Sequence, residues 1–287
     1  MRSTNPPTSR VIAVTGAARG IGLSIARQLA AEGARIAIGD LDADQATAAA
    51  GQLPGEAAGF ALDVTNEDSF TDFLDAVEAK WGPIDVLVNN AGVMWVGRFD
   101  EETEQATRRQ LEVNLHGVIR GVRLTAPRMR ARGRGQIVTV ASAASRLSPA
   151  GEATYAATKH GVFGYLKGVR TELRGSGVDL SVVMPTVVAT ELAAGTSSGS
   201  VKMLTPDDVA KAVAGVIARP RFEVSVPRYV SPLARVIDAL PDPVRVMLWG
   251  LMVPNQVTTL DGDRSARAKY ERAALTETTT DDPGAAR

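Results

Sequence analysis

The chain has 287 residues, 45% of them hydrophobic, and a formal net charge of zero, a balance typical of a globular protein that gives no reason to expect a nucleic-acid partner. It has no cysteine, which excludes disulfides and thiolate metal sites and indicates a reducing cytoplasm. Two histidines, His116 and His160, are too few for a His-rich metal site, so no metal is predicted.

Short apolar runs alternate with longer helical patterns along most of the chain. Residues 1–9 are polar and contain two prolines, which predicts a disordered tail. The predicted strands are 11–14, 35–38, 59–62, 85–88, 136–140, 180–184 and 222–226. The predicted helices are 21–32, 43–52, 66–80, 101–131, 152–174 and a last one from Thr205 to about Ala218. This alternation predicts one α/β domain over 10–227, with a doubly wound parallel sheet and helices on both faces.

The segment after residue 227 has a different pattern. Apolar residues recur at helical spacing in two short groups, Leu233, Val236, Ile237 and Leu240, then Val244, Met247, Leu248 and Leu251. A helical extension is therefore predicted over 228–275, followed by a disordered tail over 276–287. The two apolar faces could cover a substrate pocket, contact a partner subunit or lie on a membrane surface. Packing against protein is the favoured interpretation.

A glycine-rich turn follows the first predicted strand. Gly16, Gly20 and Gly22 have the spacing Gly-x3-Gly-x-Gly, and a helical pattern begins at once. A strand, a glycine turn and a helix N-terminus together form a pyrophosphate site, because unpaired amides and the helix dipole attract the anion. The alternative is a tight turn that needs glycine only for steric reasons.

An acidic residue lies at the distance expected for a nucleotide ribose. Asp40 follows the second predicted strand, 18 residues after Gly22, where a carboxylate can accept hydrogen bonds from the 2′- and 3′-hydroxyls. It would repel a 2′-phosphate, and Leu41 beside it offers no cation, so NAD is favoured. Arg19, in the phosphate turn, is the argument for NADP.

A tyrosine and a lysine four residues apart lie on one face of a predicted helix. Tyr155 and Lys159 are therefore neighbours in space, and a cation beside a phenol is expected to lower the phenol pKa. Such a phenol could exchange a proton near neutral pH. A Tyr-x3-Lys pair is frequent by chance, and its significance depends on the other motifs.

Taken together, the motifs resemble the short-chain dehydrogenase/reductase family over roughly residues 10–227. Thr15–Gly22 is similar to the family's glycine motif and Asn89–Gly92 to its Asn-Asn-Ala-Gly element. Pro185–Thr190 is similar to its Pro-Gly-x3-Thr element, with Thr186 in place of the common glycine. The residues in register with the family's catalytic tetrad are Asn114, Ser142, Tyr155 and Lys159, with 13 positions from serine to tyrosine.

The resemblance implies a Rossmann-type fold of about seven strands and a role for each motif. Tyr155 would be the general acid/base, Lys159 would hold the nicotinamide ribose, Ser142 would bind the substrate oxygen, and Asn114 would hold a water linked to Lys159. The implied contacts of the cofactor are Asp63 and Val64 with adenine, Asn90, Ala91 and Gly92 with the adenosine ribose, and Pro185, Val188 and Thr190 with the carboxamide. Ile21 and Leu41 complete the predicted cofactor site.

The resemblance further implies a homodimer or homotetramer formed through the helices 101–131 and 152–174. The predicted activity interconverts a secondary alcohol and a ketone or aldehyde with NAD(P)(H). The loops 93–95 and 147–150 are poor in charge, which favours a small lipophilic substrate. The alternative is a non-catalytic dinucleotide-binding sensor or scaffold, which would need no phenol-lysine pair.

Overall fold

The computed structural model describes residues 10–199, 201–260 and 265–275. The strands are β1 (Val11–Thr15), β2 (Arg35–Asp40), β3 (Ala57–Ala61), β4 (Val86–Asn89), β5 (Gly135–Val140), β6 (Val178–Pro185) and β7 (Glu223–Val226). The helices of the domain are α1 (Gly20–Ala31), α2 (Ala43–Ala50), α3 (Glu67–Trp81), α4 (Glu104–Gln110), α5 (Gly117–Ala131), α6 (Ala153–Glu172) and α7 (Pro206–Ala218). The later helices are α8 (Val230–Asp238), α9 (Asp242–Met252), α10 (Gln256–Leu260) and α11 (Ser265–Leu275).

The seven strands form one parallel sheet in the order β3-β2-β1-β4-β5-β6-β7. The chain begins at the centre and reverses its winding direction between β1 and β4. The carboxyl ends of these two strands therefore border the crevice where open α/β sheets bind ligands. The predicted doubly wound parallel sheet is confirmed.

Each face of the sheet is covered by its own apolar layer. On one face, Ile25 and Leu29 of α1 and Val213 of α7 pack against alternate strand residues. On the other face, Phe70 of α3 and Val122 of α5 do the same. Burial on both faces explains why the strands are continuous apolar runs in the sequence.

The long helix predicted over 101–131 is interrupted in the structure. It begins at Glu104, and residues Leu111–His116 form a π-helical turn between α4 and α5. A π-helical turn accommodates one extra residue and re-aims the side chains within it. The turn contains Asn114, whose side chain is fully buried. The predicted start of α7 is confirmed, because Thr205 and Asp208 form a reciprocal capping box around Pro206, the first residue of the helix.

The apolar faces predicted after residue 227 are partly buried and partly exposed in the single chain. Ala234 and Ile237 of α8 are buried, whereas Val236, predicted on the same face as Ile237, is 63% exposed. On α9, Met247 and Leu251 are likewise exposed. Whether these faces cover the pocket or contact a partner subunit stays a prediction.

The predicted tails, 1–9 and 276–287, lie outside the described residues, and the domain boundary at residue 227 stays a prediction. No helix in the described ranges is both long and apolar enough to cross a membrane.

Candidate active site

The glycine turn lies at the carboxyl ends of β1 and β2. Gly16 and Gly20 have positive φ angles of 61° and 58°, which favour glycine. A Cβ atom on Gly22 would lie 2.4 Å from the carbonyl oxygen of Gly16, so this position has no room for a side chain. The helix that follows has no side-chain cap at Arg19. Its first amide groups are therefore suited to an anionic ligand.

The Asp40 side chain is hydrogen-bonded to this turn. Its carboxylate accepts a hydrogen bond of 2.9 Å from the amide of Ala18. Leu41 beside it is half exposed, at 50%. The Arg19 guanidinium lies 2.9 Å from the Glu191 carboxylate, with which it forms an exposed ion pair. The residues predicted to select NAD or NADP thus lie around one end of the crevice. The charge of Arg19 is paired with that of Glu191.

Two of the predicted adenine contacts follow β3. The Asp63 carboxylate accepts hydrogen bonds of 2.8 and 2.7 Å from the amide and hydroxyl of Thr65. The carbonyl oxygen of Val64 accepts a bond of 2.5 Å from Arg120. Both residues are held firmly where a base could lie, although the Asp63 carboxylate already has protein partners.

The Asn-Asn-Ala-Gly segment joins β4 to the glycine turn. The side-chain amide of Asn90 donates hydrogen bonds to the carbonyl oxygens of Thr15, at 3.0 Å, and Gly16, at 2.9 Å. Ala91 approaches so closely that a Cβ atom on Gly16 would lie 2.8 Å from its Cα. Asn90 therefore fixes the shape of the turn as well as bordering the cavity.

Asn114 holds the next part of the same loop. Its side-chain oxygen accepts a hydrogen bond of 2.8 Å from the amide of Val93, and its nitrogen donates one of 2.8 Å to the carbonyl oxygen of Val93. A Cβ atom on Gly92 would lie 3.3 Å from this oxygen and 3.6 Å from the Lys159 Nζ. The polar atoms of Asn114 and Lys159 thus approach one another at Gly92.

A cavity of about 170 Å³ brings the remaining predicted residues together. Ser142 follows β5, Tyr155 and Lys159 lie on the same face of α6, and all three line the cavity. The predicted cofactor residues that also line it are Ile21, Asn90, Gly92, Pro185, Val188 and Thr190. The other predicted site residues are not among its walls: the glycines of the turn, Arg19, Asp40, Leu41, Asp63, Val64, Ala91 and Asn114.

Burial governs the protonation of the phenol-lysine pair. It raises the pKa of Tyr155 above its usual value, and the charge of Glu152 adds to the rise, while the Ser142 hydroxyl opposes it. Burial also lowers the pKa of Lys159 to about 8. The Lys159 Nζ lies 5.4 Å from the centre of the Tyr155 ring. The expected lowering of the Tyr155 pKa by Lys159 is therefore wrong as a net effect, because burial of the phenol disfavours its charged form and dominates the shift.

Sequence reasoning missed three side chains around this cavity. Glu152, one helical turn before Tyr155, is 7% exposed and lines the cavity. Arg267 of α11 is 2% exposed, and Tyr270 accepts a hydrogen bond of 3.2 Å from the Met94 amide. The spacing of Glu152 from Tyr155 was a usable signal. Arg267 and Tyr270 lie in a polar segment with no pattern that would have indicated burial.

The crevice, the glycine turn and the serine, tyrosine and lysine on one cavity define a dinucleotide-binding oxidoreductase of Rossmann type. A family model described as short chain dehydrogenase matches residues 10–200. The chain therefore belongs to the short-chain dehydrogenase/reductase family.

Proteins similar in sequence to this chain include two mycobacterial dehydrogenases. D-threitol dehydrogenase from Mycolicibacterium smegmatis is 42% identical over 186 residues, which cover 64% of this chain and 72% of that protein. A 3-alpha-(or 20-beta)-hydroxysteroid dehydrogenase from Mycobacterium tuberculosis is 33% identical over 216 residues, covering 75% of this chain and 79% of that protein.

Solved structures share the fold at similar coverage. A short chain dehydrogenase/reductase from Burkholderia phymatum in complex with NAD has a TM-score of 0.75 and 26% identity, covering 82% of this chain and 95% of that chain. An alcohol dehydrogenase from the archaeon Thermococcus sibiricus, complexed with 5-hydroxy-NADP, has a TM-score of 0.67 and 29% identity, covering 75% of this chain and 95% of that chain.

Proposed function

We propose that this protein is an NAD(H)-dependent oxidoreductase that interconverts a secondary alcohol and a ketone or aldehyde. The observation that carries the proposal is the convergence of Ser142, Tyr155 and Lys159 on one cavity that continues to Asn90 and Gly92. Relatives named as dehydrogenases of threitol and of hydroxysteroids support a CH–OH substrate.

The residues fit a nicotinamide dinucleotide. Gly20 has open space where a side chain would stand, because a Cβ atom there would meet only the Thr190 methyl group, at 3.9 Å. The phosphates would lie against the first amides of α1, and Pro185, Val188 and Thr190 would hold the carboxamide. When bound, the cofactor supplies or accepts the hydride.

The chain's own residues carry the proton and hold the substrate. At neutral pH the Tyr155 phenol keeps its proton, since burial raises its pKa. It can therefore donate that proton from Oη to a carbonyl oxygen that the Ser142 hydroxyl also holds. Lys159, with a pKa of about 8, is the group that can return a proton to Tyr155. Asn114 would complete the relay through a water.

We infer NAD rather than NADP from charge. The Asp40 carboxylate lies at the turn, where it would repel a 2′-phosphate, and half-exposed Leu41 supplies no cation. Arg19, the one argument for NADP, is paired with Glu191. An exposed ion pair is weak and does not by itself withhold Arg19, so the inference of NAD rests on the Asp40 carboxylate, which is hydrogen-bonded to the turn.

The lining of the cavity supports a substrate with an apolar body. Met94, Leu147, Leu192, Met252 and Val253 form much of its wall. The last two belong to the segment after the sheet, which supports a role for the extension in closing the pocket. Such walls favour burial of hydrocarbon at about 25 cal/mol per Å².

We further propose that the protein forms a homo-oligomer and works in the cytoplasm. The resemblance to the family supports pairing through α5 and α6. Exposed apolar side chains on α9, among them Met247 and Leu251, offer a further protein contact in preference to a membrane surface. Light scattering would give the oligomeric state, and salt-resistant co-sedimentation with anionic liposomes would contradict the preference for protein.

The function is tested by titrating NADH and NADPH into the protein and then assaying secondary alcohols and ketones with both cofactors. We expect tighter binding of NADH and measurable oxidation or reduction. Tight dinucleotide binding without turnover of any substrate in a broad panel would favour the sensor or scaffold instead.

A further inference from the structure

Glu152 is a buried carboxyl that faces the cavity without a protein partner. It is the N-cap residue of α6, a position where a carboxylate ordinarily accepts a bond from the first turn, yet its side chain makes no cap hydrogen bond. Its only hydrogen bonds with described residues are made by the main chain, to Pro149 and from Ala156. The side chain is 7% exposed and lines the same cavity as Tyr155.

The neighbours of Glu152 do not supply the missing bond. Gln256, which lines the same wall, uses both ends of its amide on the main chain of Ser197, at 2.8 Å each. Arg267 donates to Leu192, Met94 and Glu271. A buried carboxyl without hydrogen bonds is costly, and such groups in native proteins call for a functional explanation.

The surroundings also limit the kind of ligand. Among the described residues of the cavity wall, only Glu152, Tyr155 and Lys159 have ionisable side chains. The nearby guanidinium of Arg267 and the ammonium of Lys159 disfavour a cationic ligand. Burial raises the pKa of Glu152 to about 7, so near neutral pH the carboxyl can either donate or accept a hydrogen bond. A neutral hydroxyl group suits both forms.

We propose that Glu152 is a subsite for a second hydroxyl group of the substrate, so that this enzyme acts on diols or hydroxyketones with an apolar body. This inference rests on the proposed function. Glu152 caps α6 three residues before Tyr155, and both side chains line the same cavity. One hydroxyl would react at Tyr155 while the other bonds to Glu152. A simple alcohol would leave the buried carboxyl without a hydrogen bond from the ligand, which favours the diol.

The test compares cyclohexanol with the 1,2-, 1,3- and 1,4-cyclohexanediols, which share one apolar ring. Binding to the NADH complex is measured by calorimetry, and kcat/KM is measured with NAD. The variants are Glu152→Gln, which keeps an acceptor, and Glu152→Leu, which removes all polar atoms. Both are expected to fold, because each removes a buried carboxyl; thermal unfolding checks this.

We expect the wild type to prefer at least one diol over cyclohexanol by tenfold or more, in binding and in kcat/KM. Glu152→Leu should lose the preference, and Glu152→Gln should retain part of it. Equal affinity for diols and cyclohexanol in the wild type, or an unchanged preference in Glu152→Leu, would overturn the proposal. Preferential diol binding through Glu152 without any turnover would support the subsite and contradict the proposed function instead.

Discussion

The guanidinium of Arg267 donates a hydrogen bond of 2.6 Å to the main-chain carbonyl oxygen of Leu192. Arg267 belongs to α11, far along the chain from the sheet, and Leu192 lies in the turn after β6 that lines the cavity. The same guanidinium also donates to the carbonyl oxygen of Met94, which lies in the loop after β4 and lines the cavity as well. The last described helix therefore joins two walls of the candidate active site.

Replacing Arg267 with Ala should loosen both walls. The carbonyl oxygens of Leu192 and Met94 would lose a buried charged donor, which costs about 1–3 kcal/mol. We expect a lower unfolding temperature and a higher KM for substrates with a large apolar body. Arg272→Ala, an exposed change on the same helix, is the matched control. Equal KM values for both variants would mean that Arg267 does not shape the pocket.

Cofactor preference should depend on the charge of Asp40. Asp40→Asn keeps an acceptor for the Ala18 amide and removes the negative charge that would repel a 2′-phosphate. We expect the ratio of NADP to NAD affinity to rise by about tenfold, equivalent to about 1.4 kcal/mol. Glu191→Gln, which frees Arg19, should move the ratio in the same direction by much less. Tighter binding of NADP than NAD by the wild type would contradict the assignment.

The glycine turn tolerates no side chain at Gly22. In Gly22→Ala the new Cβ atom would lie 2.4 Å from the Gly16 carbonyl oxygen, so the turn must shift. We expect weaker NADH binding by tenfold or more. Gly164→Ala on α6 is the control, because its Cβ atom would have no neighbour within 4 Å. That change should leave binding intact and stabilise the helix by up to about 1 kcal/mol. Unchanged NADH affinity in Gly22→Ala would exclude a close cofactor contact.

Stability should fall as Glu152 ionises. Burial raises its folded-state pKa to about 7, with Arg267 opposing the rise, whereas the unfolded value is near 4.5. The folded protein thus holds the proton more tightly, and this contribution is complete below pH 4.5 and lost as the pH rises through 7.

Glu152→Gln removes that titration. Tyr155 and Tyr270, which influence this region, stay neutral in this window, since burial raises the pKa values of both tyrosines. Between pH 4.5 and 7.5 the wild type should lose stability relative to the variant, by at most on the order of 3 kcal/mol. If the stabilities of the wild type and of Glu152→Gln changed equally with pH over this range, Glu152 would not be desolvated in the folded protein.

The sheet and the meeting of Ser142, Tyr155 and Lys159 at one cavity were predictable from sequence because their signals are local. A buried strand, a glycine turn and a Tyr-x3-Lys pair each occupy a few consecutive residues. The π-helical turn at Asn114 was not predictable, since it depends on hydrogen bonds to Val93, 21 residues earlier. The burial of Arg267 was also not predictable, because two of its partners are main-chain carbonyl oxygens, which every residue has. The Tyr155 pKa also depends on burial of the phenol, which the four-residue spacing between Tyr155 and Lys159 does not predict.

The most direct test of the central claim is the turnover of Tyr155→Phe. The change keeps the ring and removes the proton that the phenol exchanges with the substrate oxygen. Tyr165→Phe, on the same helix and outside the cavity wall, is the matched control. We predict that turnover falls by at least about 100-fold in Tyr155→Phe, within the range that acid–base catalysis supplies, while NADH affinity stays within about twofold. Turnover of the same substrate at the wild-type rate would contradict the assigned chemistry.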